Sequence, residues 1–196
     1  MTSQHRRWLL TGGIGSGKSE VRRLLEGHGI RTIDADSVGH VVLEHEALPE
    51  VAERWPDVVV DGFVDRSRLA EIVFAQPAEL AQLEAITHPL IFGRIEAELE
   101  GFEGIAVVET PVIDFAANWP RIVVDSPDDI RLERVVARGM PKTDAERRIS
   151  SQPTRSEWLS SAEIVVPNHR SRSELRLTVA ALVEHVLLMA DDSPRS

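Results

Sequence analysis

The chain has 196 residues, 42% hydrophobic and 28% charged, and this size predicts one domain that buries its own core without disulfides or a structural metal. It contains no cysteine, which excludes disulfides, thiolate catalysis, iron–sulfur clusters and cysteine zinc sites. Its 22 basic and 32 acidic residues give a net charge of −10, which argues against binding to nucleic acid or to an anionic membrane.

No apolar run approaches the ~18 residues of a membrane-spanning helix. The apolar stretch Trp8–Leu10 ends at Thr11, so it is shorter than the apolar core of a secretory signal. We therefore expect a cytoplasmic protein with no membrane partner.

Short apolar runs alternate with amphipathic stretches, which is typical of an α/β protein with a parallel sheet covered by helices. Four or five strands are predicted, in the runs Trp8–Leu10, Arg31–Ile33, Ile105–Val108, Ile122–Val124 and Ile164–Val166. The helices predicted to follow them are Lys18–Glu26, Val38–Leu43, Asp128–Ala137 and Ser173–Met189.

The alternation breaks between about 37 and 103, and this interval predicts an inserted helical subdomain. It contains an acidic turn at Asp57–Asp65 and a His88–Pro89 interruption of a long helical stretch. A second insert, Gly139–Asp144, carries Gly, Pro and a candidate capping residue, Asp144. It is predicted to be a mobile turn between two helices.

The segment Gly12–Ser19 fits the pattern G-x-x-x-x-G-K-[ST] between a predicted strand and a predicted helix, the context in which this pattern binds nucleotide phosphates. Its glycines let backbone N–H groups surround a phosphate, Lys18 supplies a compact positive charge, and the Ser19 hydroxyl is a ligand for Mg²⁺. We therefore predict a site for ATP and Mg²⁺. The residues predicted to bind the nucleotide are Gly13, Ile14, Gly15, Ser16, Gly17, Lys18 and Ser19.

Carboxylates follow two of the predicted strands. The carboxyl ends of strands in a doubly wound sheet form the ligand crevice, so strand alternation turns either Asp34 or Asp36 toward it as a general base. Alternatively, Asp36 or Ser37 caps the next helix. Glu109 stands where a carboxylate reaches Mg²⁺ directly or through water, or it is a solvated strand end.

Arg131, Arg134 and Arg138 are spaced i, i+3 and i+7, so one helix face presents three guanidinium groups. Such a face can clamp transferring phosphates and stack on a base. The alternative is a solvated face that forms salt bridges with Asp128 and Glu133.

With these residues assembled, nearly the whole chain resembles the dephospho-coenzyme A kinases. The string T-G-G-I-G-S-G-K-S at 11–19, joined to I-D-A-D at 33–36, is much more specific than a phosphate loop alone. The other residues that carry the resemblance are Asp61–Gly62, Asp65–Arg66, Leu83–Glu84, His88–Pro89, Arg131–Leu132, Arg134, Arg138, Gln152 and Ala162–Asn168.

The resemblance implies a P-loop kinase with a core at about 6–36 and 104–190, a helical coenzyme-binding insert at about 37–103 and a lid at about 138–160. It implies ATP-dependent phosphorylation of the ribose 3′-hydroxyl of dephospho-coenzyme A. In residue terms, it implies that Lys18, Asp36 and Arg134 are catalytic, with Asp36 as the base. The remaining implied roles are ATP binding by Arg138, acceptor binding by Asp34, Asp36, His88 and Pro111, and Mg²⁺ binding by Ser19 and Glu109. A His before Pro can also simply end a helical turn.

The chain departs from the family pattern in three places. It has Asp36–His40 where D-x-x-A-R is usual, Pro111–Phe115 where P-L-L-F-E is usual, and Glu20 in place of the common Thr. Histidine at position 40 predicts a weaker hold on the acceptor than arginine. The alternatives to this function are another small-molecule kinase of the nucleoside monophosphate type and a nucleotide-binding homologue that has drifted from catalysis.

Overall fold

The structure, a computed structural model, describes residues 6–112, 115–116 and 118–184. The chain divides into two compact units, one of residues 34–101 and one formed by the residues on either side of that segment. The strands are β1 (Arg7–Thr11), β2 (Arg31–Asp34), β3 (Val59–Val60), β4 (Phe63–Val64), β5 (Ala106–Glu109), β6 (Arg121–Asp125) and β7 (Ile164–Pro167). The α-helices are α1 (Lys18–Gly27), α2 (Ala35–Glu44), α3 (Leu48–Arg54), α4 (Arg66–Ala75), α5 (Pro77–Glu98), α6 (Asp128–Ala137), α7 (Lys142–Ser150), α8 (Arg155–Ser160) and α9 (Arg172–Leu182).

A five-stranded parallel sheet with the order β2-β5-β1-β6-β7 forms the centre of the unit built from the residues on either side of 34–101. Strand β1 lies between β5 and β6, with Leu10 opposite both Glu109 and Ile122. Because parallel strands end at the same edge of a sheet, the loops after β1, β5, β6 and β7 meet there. All five predicted strands and the predicted α/β fold are confirmed.

Helices α1 and α9 pack against one face of this sheet. Alternate residues of β1 point to that face, and apolar residues spaced three or four apart on the helices cover it. A capping box of Ser171 and Glu174 begins α9. Helix α9 corresponds to the predicted helix Ser173–Met189 and begins one residue before it, at Arg172. The predicted end, Met189, lies outside the described residues. The buried residues of this core include Trp8, Leu10, Val21, Leu25, Val107, Ile122, Leu175 and Val179.

The unit of residues 34–101 has its own apolar core, formed where α5 packs against α2 and α4. The predicted acidic turn at 57–65 contains a short 3-10 helix, Pro56–Val58, followed by an antiparallel hairpin of β3 and β4. Asp61 and Gly62 both have positive φ, 52° and 83°, which is the conformation of the tight Asp-Gly hairpin turn. The sequence prediction missed this hairpin because its strands are only two residues long.

Helix α5 continues through His88–Pro89, so the predicted interruption is wrong. Proline removes one backbone donor and leaves the carbonyl of Ala85 without its intrahelical partner. Apolar residues on both sides of Pro89 pack against the core of the unit, and this burial holds the helix together across the proline. These residues are Leu80, Leu83, Ile86, Leu90 and Ile91.

Helix α7 begins one turn earlier than its predicted cap. Its N-cap residue is Pro141, whose extended backbone ends the turn after Gly139. Asp144 therefore lies inside the first helical turn, where its carboxylate pairs with Arg147 at 3.3 Å, and the prediction that Asp144 caps the helix is wrong. No helix in the described ranges is both long and apolar enough to cross a bilayer.

Candidate active site

The phosphate loop connects the buried strand β1 to helix α1. Its last residue, Gly17, is the N-cap of α1 with φ 99° and, being glycine, has no side chain with which to cap the helix. The first N–H groups of a helix lack intrahelical acceptors and carry the positive end of the helix dipole. The start of α1 is therefore an anion-binding position, as the motif predicts.

The Lys18 side chain folds back over the loop. Its Nζ donates to the carbonyl oxygen of Gly12 at 2.8 Å and to that of Gly13 at 3.4 Å. The ammonium group therefore lies beside the start of α1. The positive charge of Lys18 and the positive end of the helix dipole are thus close together.

Glu109 ends β5 and contacts the first turn of α1. Its Oε1 accepts a hydrogen bond from the Ser19 hydroxyl at 2.9 Å, and its Oε2 pairs with Nε of Arg22 at 2.7 Å. Glu109 is only 8% exposed, so the alternative of a solvated strand end is wrong.

The pair of Ser19 and Glu109 also fits a divalent cation. Hydroxyl and carboxylate oxygens are hard donors of the kind Mg²⁺ prefers, and Mg²⁺ in nucleotide sites uses one or two such groups together with substrate phosphates. Within the described residues no cluster of three or more His, Asp or Glu side chains could hold a metal.

The loop rests on residues that follow β6 and β7. The carbonyl of Ser16 accepts from Nδ2 of Asn168 at 2.7 Å and from the Ser126 hydroxyl at 3.3 Å. A Cβ on Gly17 would stand 2.1 Å from that Asn168 nitrogen, so a larger residue here would displace the Asn168 amide from Ser16 as well as adopt a strained φ. Motif analysis did not assign a role to Ser126 or Asn168, although Asn168 belongs to the string that carries the family resemblance.

Arg131 lies beneath the loop, where it is only 3% exposed. Its guanidinium donates to the carbonyl of Ile14 at 2.9 Å, to Asp128 at 2.7 Å and to Gln152 at 2.8 Å. The prediction that Arg131 shares an accessible face with the other two arginines is therefore wrong. Its position explains Gly13, because a Cβ there would stand 2.0 Å from Arg131.

Arg134 and Arg138 are more accessible than Arg131. Arg134 is partly buried and reaches the carbonyls of Gly15 and Ser16 and the Ser126 hydroxyl at 3.1–3.4 Å. Burial, followed by the nearby charge of Arg138, lowers the pKa of Arg134. Arg138 is exposed at the end of α6. The charges of Arg134 and Arg138 repel each other, and an anion bound near both would relieve that repulsion.

The predicted acceptor residues lie in several elements. Asp34 is the N-cap of α2 and accepts from the backbone N–H groups of Asp36 and Ser37 at 3.1 and 3.3 Å. The prediction that Asp36 or Ser37 provides this cap is therefore wrong, and Asp36 is exposed in the first turn. His88 lies in the middle of α5.

Pro111 belongs to the other unit, where it is exposed just after β5. The backbone beside it is held by a hydrogen bond from the Val112 N–H to the Thr110 hydroxyl at 3.1 Å. Residues 113, 114 and 117 lie outside the described ranges, so the departure from the family pattern at Asp114 has no structural account.

The dephospho-CoA kinase family model matches residues 9–174. This range contains the phosphate loop, most of β1 and all the other strands of the five-stranded sheet. The chain belongs to the dephospho-CoA kinase family. A dephospho-CoA kinase of Thermobifida fusca is 40% identical over 90% of this chain and 94% of its own length. A dephospho-CoA kinase of Deinococcus radiodurans is 40% identical over 83% of this chain and 84% of its own length. The predicted family is confirmed.

Solved structures agree with this dephospho-CoA kinase assignment. A protein of Thermus thermophilus superposes with a TM-score of 0.78 at 31% identity, covering 92% of this chain and 97% of its own. The dephospho-CoA kinase of Campylobacter jejuni superposes with a TM-score of 0.71 at 25% identity, covering 94% of this chain and 98% of its own. A shikimate kinase of Bacteroides thetaiotaomicron, at 0.51 and 15% identity, covers 91% and 96% and shares the fold. The P-loop kinase fold and the assignment as a kinase are confirmed, and another acceptor class is not favoured.

Proposed function

We propose that this enzyme transfers the γ-phosphoryl group of ATP to the ribose 3′-hydroxyl of dephospho-coenzyme A, giving coenzyme A and ADP. The observation that carries the proposal is the contact of Ser19 with Glu109 at 2.9 Å beside the start of α1. It joins an anion site to a pair of metal-binding oxygens in a chain of this family. The acceptor comes from the relatives, which are named dephospho-CoA kinases.

The ATP phosphates bind the backbone of residues 13–19 in this proposal. Lys18 holds the β- and γ-phosphates, and its charge remains useful as the negative charge on the transferring group redistributes. Ser19 and Glu109 would hold Mg²⁺, which when bound neutralises phosphate charge. Arg134 acts on the transferring group and Arg138 binds the nucleotide, with residues 138–160 as a lid.

On the acceptor side, Asp36 takes the proton of the 3′-hydroxyl as the phosphoryl group is transferred. Asp34 supports it by capping α2, and it contributes to acceptor binding with His88 and Pro111. Residues 34–101, which form a compact unit, serve as the coenzyme-binding part. A cytoplasmic location, which rests on the sequence pattern alone, is also part of this proposal.

The proposed function is tested by measuring ADP release from ATP and Mg²⁺ with three acceptor conditions. These are dephospho-coenzyme A, a set of nucleoside monophosphates, and no acceptor. We expect ADP release well above the no-acceptor rate with dephospho-coenzyme A alone. Release with nucleoside monophosphates would assign a different acceptor, and release with neither would indicate a nucleotide-binding homologue without transfer activity.

Replacing Arg134 or Arg138 with alanine should lower kcat more than it raises KM for dephospho-coenzyme A. A group that clamps the transferring phosphoryl acts mainly in the transition state, and we expect a loss of about 10²–10³-fold for Arg134, which contacts the loop. Steady-state kinetics measures both constants. Arg176, an exposed arginine of α9, provides the matched control. Unchanged kcat in both variants would mean that these arginines have no role in phosphoryl transfer, as in the alternative of a solvated helix face.

Replacing His40 with arginine should lower KM for dephospho-coenzyme A. His40 is exposed on α2 four residues after Asp36, so the two side chains share a helix face. Arginine offers a permanent charge and a bidentate fork for phosphate, and the imidazole of histidine provides neither. We expect about a threefold to tenfold decrease, with KM for ATP unchanged. An equal or higher KM would mean that other residues hold the acceptor phosphates.

A further inference from the structure

We infer that Gln152 is a positioning residue that ties the segment between α7 and α8 to the phosphate loop, and that its side chain must be neutral for ATP to bind tightly. The inference rests on the proposed function only in taking the loop as the ATP site.

Side chains hold both backbone polar groups of Ile14 in place. Its N–H donates to Oε1 of Gln152 at 2.8 Å, and its carbonyl accepts from Nε of Arg131 at 2.9 Å. These partners lie 138 and 117 residues away in the sequence. The orientation of one peptide in the phosphate loop is thus set by residues outside the loop.

Gln152 also completes the environment of Arg131. The same Oε1 accepts from Nη2 of Arg131 at 2.8 Å, so both lone pairs of the amide oxygen are used. Arg131 is nearly fully buried against Gly13, and its charge is otherwise paired with Asp128 at 2.7 Å. Losing the Gln152 oxygen would leave two part-buried donors without an acceptor.

A second contact between this segment and the core involves Arg155, three residues after Gln152. Arg155 forms a bidentate pair with Asp125 at 2.7 and 2.8 Å. The Asp125 carbonyl accepts from the Asn168 N–H at 2.7 Å, and Asn168 in turn binds the Ser16 carbonyl. The segment from Gln152 to Arg155 is therefore connected to the phosphate loop at Ile14 and at Ser16. Displacing this segment would strain one of these contacts, so the movement of the proposed lid belongs to the residues before Gln152.

Charge separates a positioning role from a purely structural one. A glutamate at position 152 can accept from the same two donors and pairs with Arg131 at least as well as an amide does. It also places a negative charge against a loop that binds a polyanion, and like charges repel most strongly where the site is shielded from water. A glutamate at position 152 would therefore satisfy the hydrogen bonds that stabilise the loop but would oppose the binding of ATP.

The test compares Gln152→Glu and Gln152→Met with the wild-type enzyme, using thermal unfolding without nucleotide, calorimetric titration with ATP, and steady-state kinetics. Gln152→Glu should unfold at the wild-type temperature or above it, bind ATP about tenfold more weakly, and keep its KM for dephospho-coenzyme A. Gln152→Met should lose both stability and ATP affinity. Ser173→Glu, which adds the same charge at an exposed position in the first turn of α9, should bind ATP like the wild type.

Wild-type ATP affinity in Gln152→Glu, equal weakening of ATP binding in Ser173→Glu, or a marked loss of stability in Gln152→Glu would each overturn the inference. The ATP titration needs no acceptor. A wild-type enzyme that binds ATP but does not phosphorylate dephospho-coenzyme A would overturn the proposed function while leaving this inference standing.

Discussion

Replacing Lys18 with alanine is expected to lower kcat/KM for phosphoryl transfer by about a thousandfold or more. The Lys18 ammonium lies over the phosphate loop, bonded to the Gly12 and Gly13 carbonyls, and no other lysine stands within the loop. Hydrogen bonds of a charged group contribute about 1.5–3 kcal/mol each, and the longer bond to Gly13 contributes the less of the two, so their loss stays below the ~5–15 kcal/mol stability of a typical domain. The folded protein should therefore persist without activity, as measured by circular dichroism and by ADP release.

Lys142 is the matched control, because it is the second of the two lysines in the chain. Its side chain is 69% exposed and pairs with Glu146 at 3.7 Å, a surface pair that contributes little to stability. Lys142→Ala removes the same charge and should retain turnover. A folded Lys18→Ala protein with wild-type turnover would contradict the assignment of the phosphate loop.

Replacing Asp36 with asparagine should lower kcat by about 10²–10⁴-fold, the usual contribution of a general base. Asparagine keeps the shape of the side chain but cannot take the proton of the 3′-hydroxyl. The ATP affinity should change little, because the loop and Lys18 hold the nucleotide. Asp36 is exposed in the first turn of α2, so losing its favourable helix-dipole interaction costs about 0.5 kcal/mol. Kinetics and ATP titration separate the two effects.

Asp34 supplies a control of the same chemistry two residues away. Its carboxylate caps α2, and asparagine is an equally good N-cap residue. Asp34→Asn should therefore keep its stability and most of its kcat, whereas Asp34→Ala should lose about 1 kcal/mol of stability. Exchanged phenotypes would make Asp34 the base. Normal kcat in both asparagine variants would exclude an aspartate base at this strand end.

The accuracy of the sequence analysis follows the range of the interactions involved. The phosphate loop, the strands and helix α6 depend on residues close together in the chain, so pattern and spacing predict them well. The short hairpin of β3 and β4 and the continuous path of α5 through Pro89 depend on packing within the unit of residues 34–101. Local propensity favoured a turn and a break there, and burial outweighed it.

The arginines of α6 show the same limit at the candidate site. Their spacing predicts a common face, but it contains no information about what covers each turn of that face. The phosphate loop lies over Arg131 and leaves Arg138 exposed. Arg131 is therefore a buried support for the loop, and the accessible part of that helix face is reduced to Arg134 and Arg138.

The sequence by itself determined the α/β fold from its alternating apolar runs, the family from the phosphate-loop string joined to I-D-A-D, and the residues of the phosphate loop, because each of these signals lies in residues close together in the chain. Only the tertiary structure decided that Glu109 is held by Ser19 and Arg22, and that Gln152 and Arg131 hold the Ile14 peptide. These contacts join residues more than 80 positions apart. Their geometry depends on how parallel strands align and where their ends meet, which no local pattern encodes.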